Sequence, residues 1–141
     1  MKVSINKLHP DAVVPKYATN GSSGFDLVAV EDVSLATGET KLIKTGLAFD
    51  VGRGYELQVR PRSGLSLKTG LRVANSPGTV DSDFRGEVCV IMENTGQHYN
   101  IKKGDRIAQG VICPVVQADF EVVNELDKTI RGANGYGSSG K

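Results

Sequence analysis

Glycine and proline break this 141-residue chain so often (17 Gly and 5 Pro) that few windows can hold three uninterrupted helical turns. What lies between the breaks is short and rich in valine, with 17 Val against 10 Leu and 9 Ala. Valine is stiff at χ1 and suits a pleated surface better than a helix. Tyr55-Glu56-Leu57-Gln58-Val59-Arg60 alternates with period two, placing Tyr, Leu and Val on one face. Lys41–Ile43 and Leu47–Val51 flank a Thr45-Gly46 break, and Phe25–Val30, Val88–Met92, Ile107–Ile112 and Phe120–Val123 complete the set of expected strands. Short strands with turn signals every ten or so residues predict an all-β sandwich or barrel. One short helix is expected over Ser63–Lys68, with Ser63 as its N-cap and Gly70 as its stop. Val115 to Arg131 contains no Gly or Pro, but its Val115-Val116 and Val122-Val123 pairs favour strand over helix.

Composition narrows the function classes. The chain has 17 basic and 16 acidic residues, which excludes a disordered polyelectrolyte and leaves no global basic field for a nucleic-acid backbone. The longest apolar run is Val88-Cys89-Val90-Ile91-Met92, too short to span a membrane. Met1–Lys7 has no hydrophobic stretch of a secretory signal. Cys89 and Cys113 lack metal-ligand spacing and make no disulfide framework, and His9 and His98 are too few for a multi-histidine zinc site. A soluble cytoplasmic single domain is expected. Because Val88–Met92 is apolar on both faces, that strand is either central to the chain's own core or covered by another chain. From Arg131 to Lys141 the composition changes to four glycines in eleven residues. The division expected is therefore a domain over 1–130 and a flexible arm over 131–141.

Five stretches are too specific for filler, though each has a plain structural reading. In Ser22-Ser23-Gly24-Phe25-Asp26-Leu27, the Asp26 carboxylate must find a partner, either a turn to cap or a site to support. Arg60-Pro61-Arg62-Ser63-Gly64-Leu65 presents an anion site at a helix start, or an ordinary cap with surface arginines. Asn75-Ser76-Pro77-Gly78-Thr79-Val80-Asp81-Ser82-Asp83-Phe84-Arg85-Gly86-Glu87 resembles a β-hairpin around Asp81 and Phe84. An aspartate held there is suited to orient and deprotonate a water, although Asp and Gly also form turns. Gly104-Asp105-Arg106-Ile107-Ala108-Gln109-Gly110 is a turn and strand whose Gln109 faces solvent or a site. In the tail, glycine backbone with Arg131 and Ser138 suits a phosphate and Tyr136 suits stacking on a base; a passive linker gains nothing from that aromatic ring.

In this order and spacing, over about residues 15–141, the five stretches resemble the five ordered motifs of the homotrimeric dUTPase family. The resemblance implies a jelly-roll-like β-barrel, three copies per molecule, and sites that draw motifs from more than one copy. It implies hydrolysis of dUTP to dUMP and pyrophosphate, which limits uracil incorporation into DNA and supplies dUMP for thymidylate synthesis. Gly24 and Asp26 match the first motif, whose aspartate supports the metal–triphosphate site. Arg62, Ser63 and Gly64 match the motif that grips the phosphates. Asn75, Gly78, Thr79, Val80 and Asp81 match the motif that reads the uracil edge, the 3′-hydroxyl and the catalytic water, with Asp81 as the base. Cys89 falls on the wall of the pyrimidine pocket, and Gln109 on the phosphate and water region. Arg131, Tyr136, Gly137 and Ser138 match the arm that closes over base and γ-phosphate. Mg²⁺ is implied as a cofactor carried by the triphosphate, with no direct protein ligand.

Three positions depart from the family pattern. Phe84 stands where tyrosine is usual, keeping the ring that packs under deoxyribose and excludes a 2′-hydroxyl but losing the phenol oxygen. Tyr136 replaces the usual phenylalanine of the arm, and Asn134 replaces an arm glycine. The related dCTP deaminases share the fold but need a glutamate facing the pyrimidine C4, whereas this chain has an aspartate at the water-activating position. Some phage relatives are ligands of regulatory proteins and carry an extra insert; no insert of obvious size is present, so no such partner is indicated.

Overall fold

The computed structural model describes residues 1–137. Eleven strands and one helix follow one another as β1 (Ser4–Lys7), β2 (Phe25–Val28), β3 (Val33–Leu35), β4 (Thr40–Lys44), β5 (Leu47–Asp50), β6 (Tyr55–Arg60), α1 (Ser63–Lys68), β7 (Leu71–Val73), β8 (Gly78–Val80), β9 (Cys89–Asn94), β10 (Tyr99–Ile101) and β11 (Arg106–Pro114). All pairings are antiparallel. They make a four-stranded sheet ordered β2-β11-β6-β8, a three-stranded sheet ordered β4-β9-β7, and two-stranded sheets β1-β5 and β10-β3. The fold is all-β and jelly-roll-like, with its wall divided among four small sheets.

One core joins them. Leu27, Leu35, Ile43, Leu47, Leu57, Leu71, Val90, Met92, Ile101 and Ile107, from nine different strands, are each no more than 1% exposed within a single apolar cluster. Each such side chain contributes about 1.5–3 kcal/mol by leaving water. The alternation expected in β6 is present, with Leu57 and Val59 buried and Glu56, Gln58 and Arg60 half-buried on the other face. The buried polar groups are paired: Asn94 donates through Nδ2 to Leu35 O (3.0 Å), and its Oδ1 accepts from Gly96 N (3.0 Å).

The doubly apolar sequence of strand β9 does not lie wholly within the chain's own core. Val88, Val90 and Met92 point into the core, but Ile91 is 37% exposed and its cross-strand partner Leu42 is 58% exposed. The second face of this sheet is therefore outside the chain's own core.

Three local expectations are corrected. Helix α1 begins at Ser63 itself: its N-cap is Arg62, without a side-chain cap, and the first helical bond runs from Ser66 N to Arg62 O. Residues 120–123 form no strand, and the expected strand tendency of 115–123 finds no partner among the described residues; Val116, Phe120 and Val122 are almost fully exposed. β-branched residues favour a strand only where a neighbouring strand satisfies the backbone. The 75–87 stretch is also no paired hairpin. Its first arm, β8, pairs with β6, while its second leads into β9 in another sheet, so the segment crosses between sheets.

Candidate active site

Two clefts gather most of the residues singled out by sequence. The first, about 280 Å³, lies where the chain crosses between sheets and is lined by Asn75, Gly78, Thr79, Val80, Asp81, Phe84 and Cys89, together with Glu87 and Val88. That volume is near the lower end for small-molecule sites, about 300–1,000 Å³. Pairing in β8 places Gly78 opposite Val59, Thr79 opposite Gln58 and Val80 opposite Leu57. Strand β8 ends the four-stranded sheet and has a sheet neighbour on one side only among the described residues. Its outer backbone groups are thus suited to recognise a flat amide-like ring edge.

Asp81 stands at the junction of this cleft with a broader basin of about 650 Å³ that includes Asp50, Arg53, Tyr55 and Arg85. Its carboxylate is exposed and makes no hydrogen bond or ion pair among the described residues, while its backbone O accepts from Phe84 N (3.2 Å). The turn is held from outside by Arg85, whose Nη1 donates to Ser82 O (2.7 Å) and Phe84 O (3.1 Å) and whose Nη2 pairs with Asp50 (3.1 Å). On the opposite wall, Glu87 Oε1 accepts from Gly46 N (2.7 Å), tying the start of β9 to the β4–β5 turn. Burial pushes the Cys89 thiol up, Glu87 adds to the shift, and Lys44 partly opposes it. Cys89 is therefore a neutral wall at neutral pH.

The second cleft, about 290 Å³, is lined by Lys16, Gly24, Asp26, Arg62, Ser63, Gly64, Arg106 and Gln109. Three cations face one carboxylate, which makes it an anion site. Asp26 does not cap a turn. Its Oδ1 accepts from Arg62 Nε (2.7 Å) and its Oδ2 lies 3.4 Å from Arg106 Nη1, while Arg62 Nη1 donates to Arg106 O (3.2 Å). The Arg62 fork is thus anchored on two sides, and both oxygens of Asp26 are committed to guanidinium groups. Gln109 donates through Nε2 to Pro61 O (2.9 Å), and its carboxamide lies against Gly24.

Sequence reasoning missed Lys16, Arg106 and Glu87. Arg106 and Gln109 are three apart and would face opposite ways on a regular strand. A bulge in the β11–β2 pairing, where Arg106 opposes Val28 but Ala108 opposes Leu27, brings both to the same cleft. The arm residues line neither cleft. Arg131 Nε donates to Asn134 O (2.9 Å), Tyr136 is fully exposed with φ +52°, and Gly137 follows with φ +86°. Ser138 lies outside the described residues. Among the described residues no group of three or more His, Cys, Asp or Glu side chains is placed to hold a metal ion, and no helix is long and apolar enough to cross a membrane.

The dUTPase family model matches residues 11–140. The chain is 54% identical to the deoxyuridine 5'-triphosphate nucleotidohydrolase of Nautilia profundicola, over 100% of both chains. It is 52% identical to the enzyme of the same name from Wolinella succinogenes, over 100% of this chain and 95% of that one. Among solved structures it is similar to the Staphylococcus bacteriophage 80alpha dUTPase with dUPNHPP, at 27% identity and a TM-score of 0.94, covering 99% of each chain. With a family match over nearly its whole length and close relatives end to end, this chain belongs to the dUTPase family.

Proposed function

We propose that this chain hydrolyses dUTP to dUMP and pyrophosphate. The observation that carries the reading is the placement of Asp81 at the mouth of a small cleft bounded by Asn75, strand β8 and Phe84. In this reading the β8 backbone pairs with the uracil edge, the Asn75 amide supports the same recognition, and Phe84 packs beneath deoxyribose. Cytosine presents the wrong donor–acceptor pattern to such a backbone, and a 2′-hydroxyl meets the Phe84 ring.

The substrate enters as Mg–dUTP, the metal neutralising part of the triphosphate charge. The donor set fits a cation carried by phosphate oxygens: Asp26, the carboxylate of the anion cleft, is already engaged by Arg62 and Arg106. Asp81 accepts a proton from a water whose oxygen attacks the α-phosphorus. The bond from that phosphorus to the bridging oxygen breaks, and the electron pair leaves with pyrophosphate. Arg62, Ser63 and Gln109 hold the phosphates and stabilise the charge that develops on the leaving group. A base of this kind supplies about 10²–10⁴-fold, and positioning and electrostatics most of the rest.

The base cleft and the anion cleft are separate on one chain. A homotrimer, in which one copy's base cleft meets another's anion cleft, brings the two halves together and covers the open face at Leu42 and Ile91. The arm, 131–141 in this reading, then closes with Tyr136 on the base and Arg131, Gly137 and Ser138 at the γ-phosphate. Pyrophosphate release from dUTP, UTP, dTTP and dCTP, measured side by side with Mg²⁺, tests the reaction. Release from dUTP alone supports it; conversion of dCTP to dUTP without pyrophosphate release moves the reading to a deaminase.

A further inference from the structure

Phe84 is 44% exposed, has no aromatic partner among the described residues, and carries no hydroxyl for a polar anchor. Its backbone, by contrast, is fixed: Phe84 N donates to Asp81 O, and Phe84 O accepts from Arg85, itself paired with Asp50. The ring's remaining freedom is rotation about its own side-chain bonds, and what it rests on sets where it stops. It rests on Gly86. A Cβ built on Gly86 would lie 2.6 Å from Phe84 Cζ, 3.0 Å from Cε2 and 3.3 Å from Cε1. The φ of Gly86 is outside the left-handed region, so the backbone does not require glycine there. The ring does.

We propose that Gly86 is a specificity-determining residue: by offering no side chain, it seats the Phe84 ring at the height that separates deoxyribose from ribose. The inference rests on the reading of Phe84 as the sugar wall. A methyl at position 86 drives the ring tip away from it by most of an ångström, because the Phe84 backbone is held by its hydrogen bonds and the ring tip is the free end of the side chain. Sugar selection depends on contact at that scale, since dispersion and steric terms change steeply within 0.5–1 Å, roughly a quarter to a half of the contact energy.

The test measures kcat/KM by pyrophosphate release for dUTP and UTP in the wild type, Phe84→Ala, Gly86→Ala, the double variant and Gly21→Ala, with melting temperatures for all five. Gly21 has open space around it and an ordinary φ, so its variant keeps the wild-type ratio. Phe84→Ala and Gly86→Ala each lower the dUTP/UTP ratio, Gly86→Ala by about tenfold (about 1.4 kcal/mol), and the double variant matches Phe84→Ala alone. An unchanged ratio in Phe84→Ala removes the sugar-wall reading and the proposal with it. A lowered ratio in Phe84→Ala beside an unchanged one in Gly86→Ala leaves the wall standing and overturns the role of Gly86. A further loss in the double variant also overturns it, because the methyl would then act on something other than the ring. If Gly86→Ala melts early, that deficit vanishes in the Phe84→Ala background; a deficit that persists there refutes the proposal by stability alone.

Discussion

Replacing Gly24 with alanine separates the cost to the fold from the cost to the site. The added Cβ would sit 2.5 Å from Gln109 Oε1, nearly an ångström inside ordinary contact, and 3.3 Å from both Gln109 Cδ and Gly110 O. Gly110 O belongs to a paired strand and stays, whereas the carboxamide is the far end of a flexible side chain and swings away. That movement breaks the bond from Gln109 Nε2 to Pro61 O, worth about 0.5–1.5 kcal/mol net. The melting temperature should therefore fall only about 2–6 °C. Activity should suffer more if, as proposed, the Gln109 amide meets a charged phosphate, because an interaction worth about 1.5–3 kcal/mol is then displaced. At about 1.4 kcal/mol per decade this is a loss of roughly 10- to 100-fold in kcat/KM for dUTP. The assay is pyrophosphate release beside a thermal melt, with Gln109→Ala as the reference for a missing amide. Wild-type kcat/KM in Gly24→Ala refutes the argument. So does a melting drop beyond about 10 °C, which would mean that the Gly110 carbonyl takes the clash.

Three other outcomes are expected. Asp81→Asn should lower kcat by about 10²–10⁴-fold while retaining affinity for a non-hydrolysable dUTP analogue; loss of binding, read by titration calorimetry, would make Asp81 structural. Because its thiol is raised by burial and by Glu87, Cys89 should react slowly with iodoacetamide at neutral pH and speed up only above the ordinary thiol range, with dUMP protecting it. Glu87→Gln should shift that rate profile toward lower pH, and alkylation at neutral pH as fast as that of a free thiol would contradict the assignment. Deleting residues 131–141 should leave the melting temperature nearly unchanged, since Tyr136 is fully exposed, and should cut kcat sharply if the segment closes over the substrate as proposed; a large drop in melting temperature would show that the segment is packed.

Much of the strand framework was legible because alternation and glycine breaks are local signals. Tyr55–Arg60, Lys41–Ile43 and Ile107–Ile112 fall on strands, and Leu47–Val51 does so up to Asp50. Strands of three or four residues such as β1, β3, β7 and β10 carry too few positions for a period to register, and only their distant partners define them. Strand β8 was hidden for a second reason: Gly78-Thr79-Val80 sits in a stretch whose polar residues read as a turn, while its pairing partner lies about twenty residues earlier in β6. The error at 115–123 runs the other way, a local preference for strand that nothing in the chain completes. At the site, residue types pointed to Asp81, Arg62 and Gln109, but the placement of Arg106 beside Gln109 depends on a bulge that no alternation rule anticipates.

The central position of β11 has a consequence for how the protein must be made. It lies between β2 and β6 in the largest sheet, so β2, finished by Val28, waits for a neighbour that starts at Arg106. At about 5–20 residues per second, those nearly eighty residues take roughly 4–16 s to synthesise. Throughout that interval the nascent chain holds two edges of a sheet whose middle does not yet exist. Any product terminated before Arg106 lacks the piece that joins them, which makes it a natural target for chaperones and proteases, and leaves the cell little prospect of a partly useful fragment.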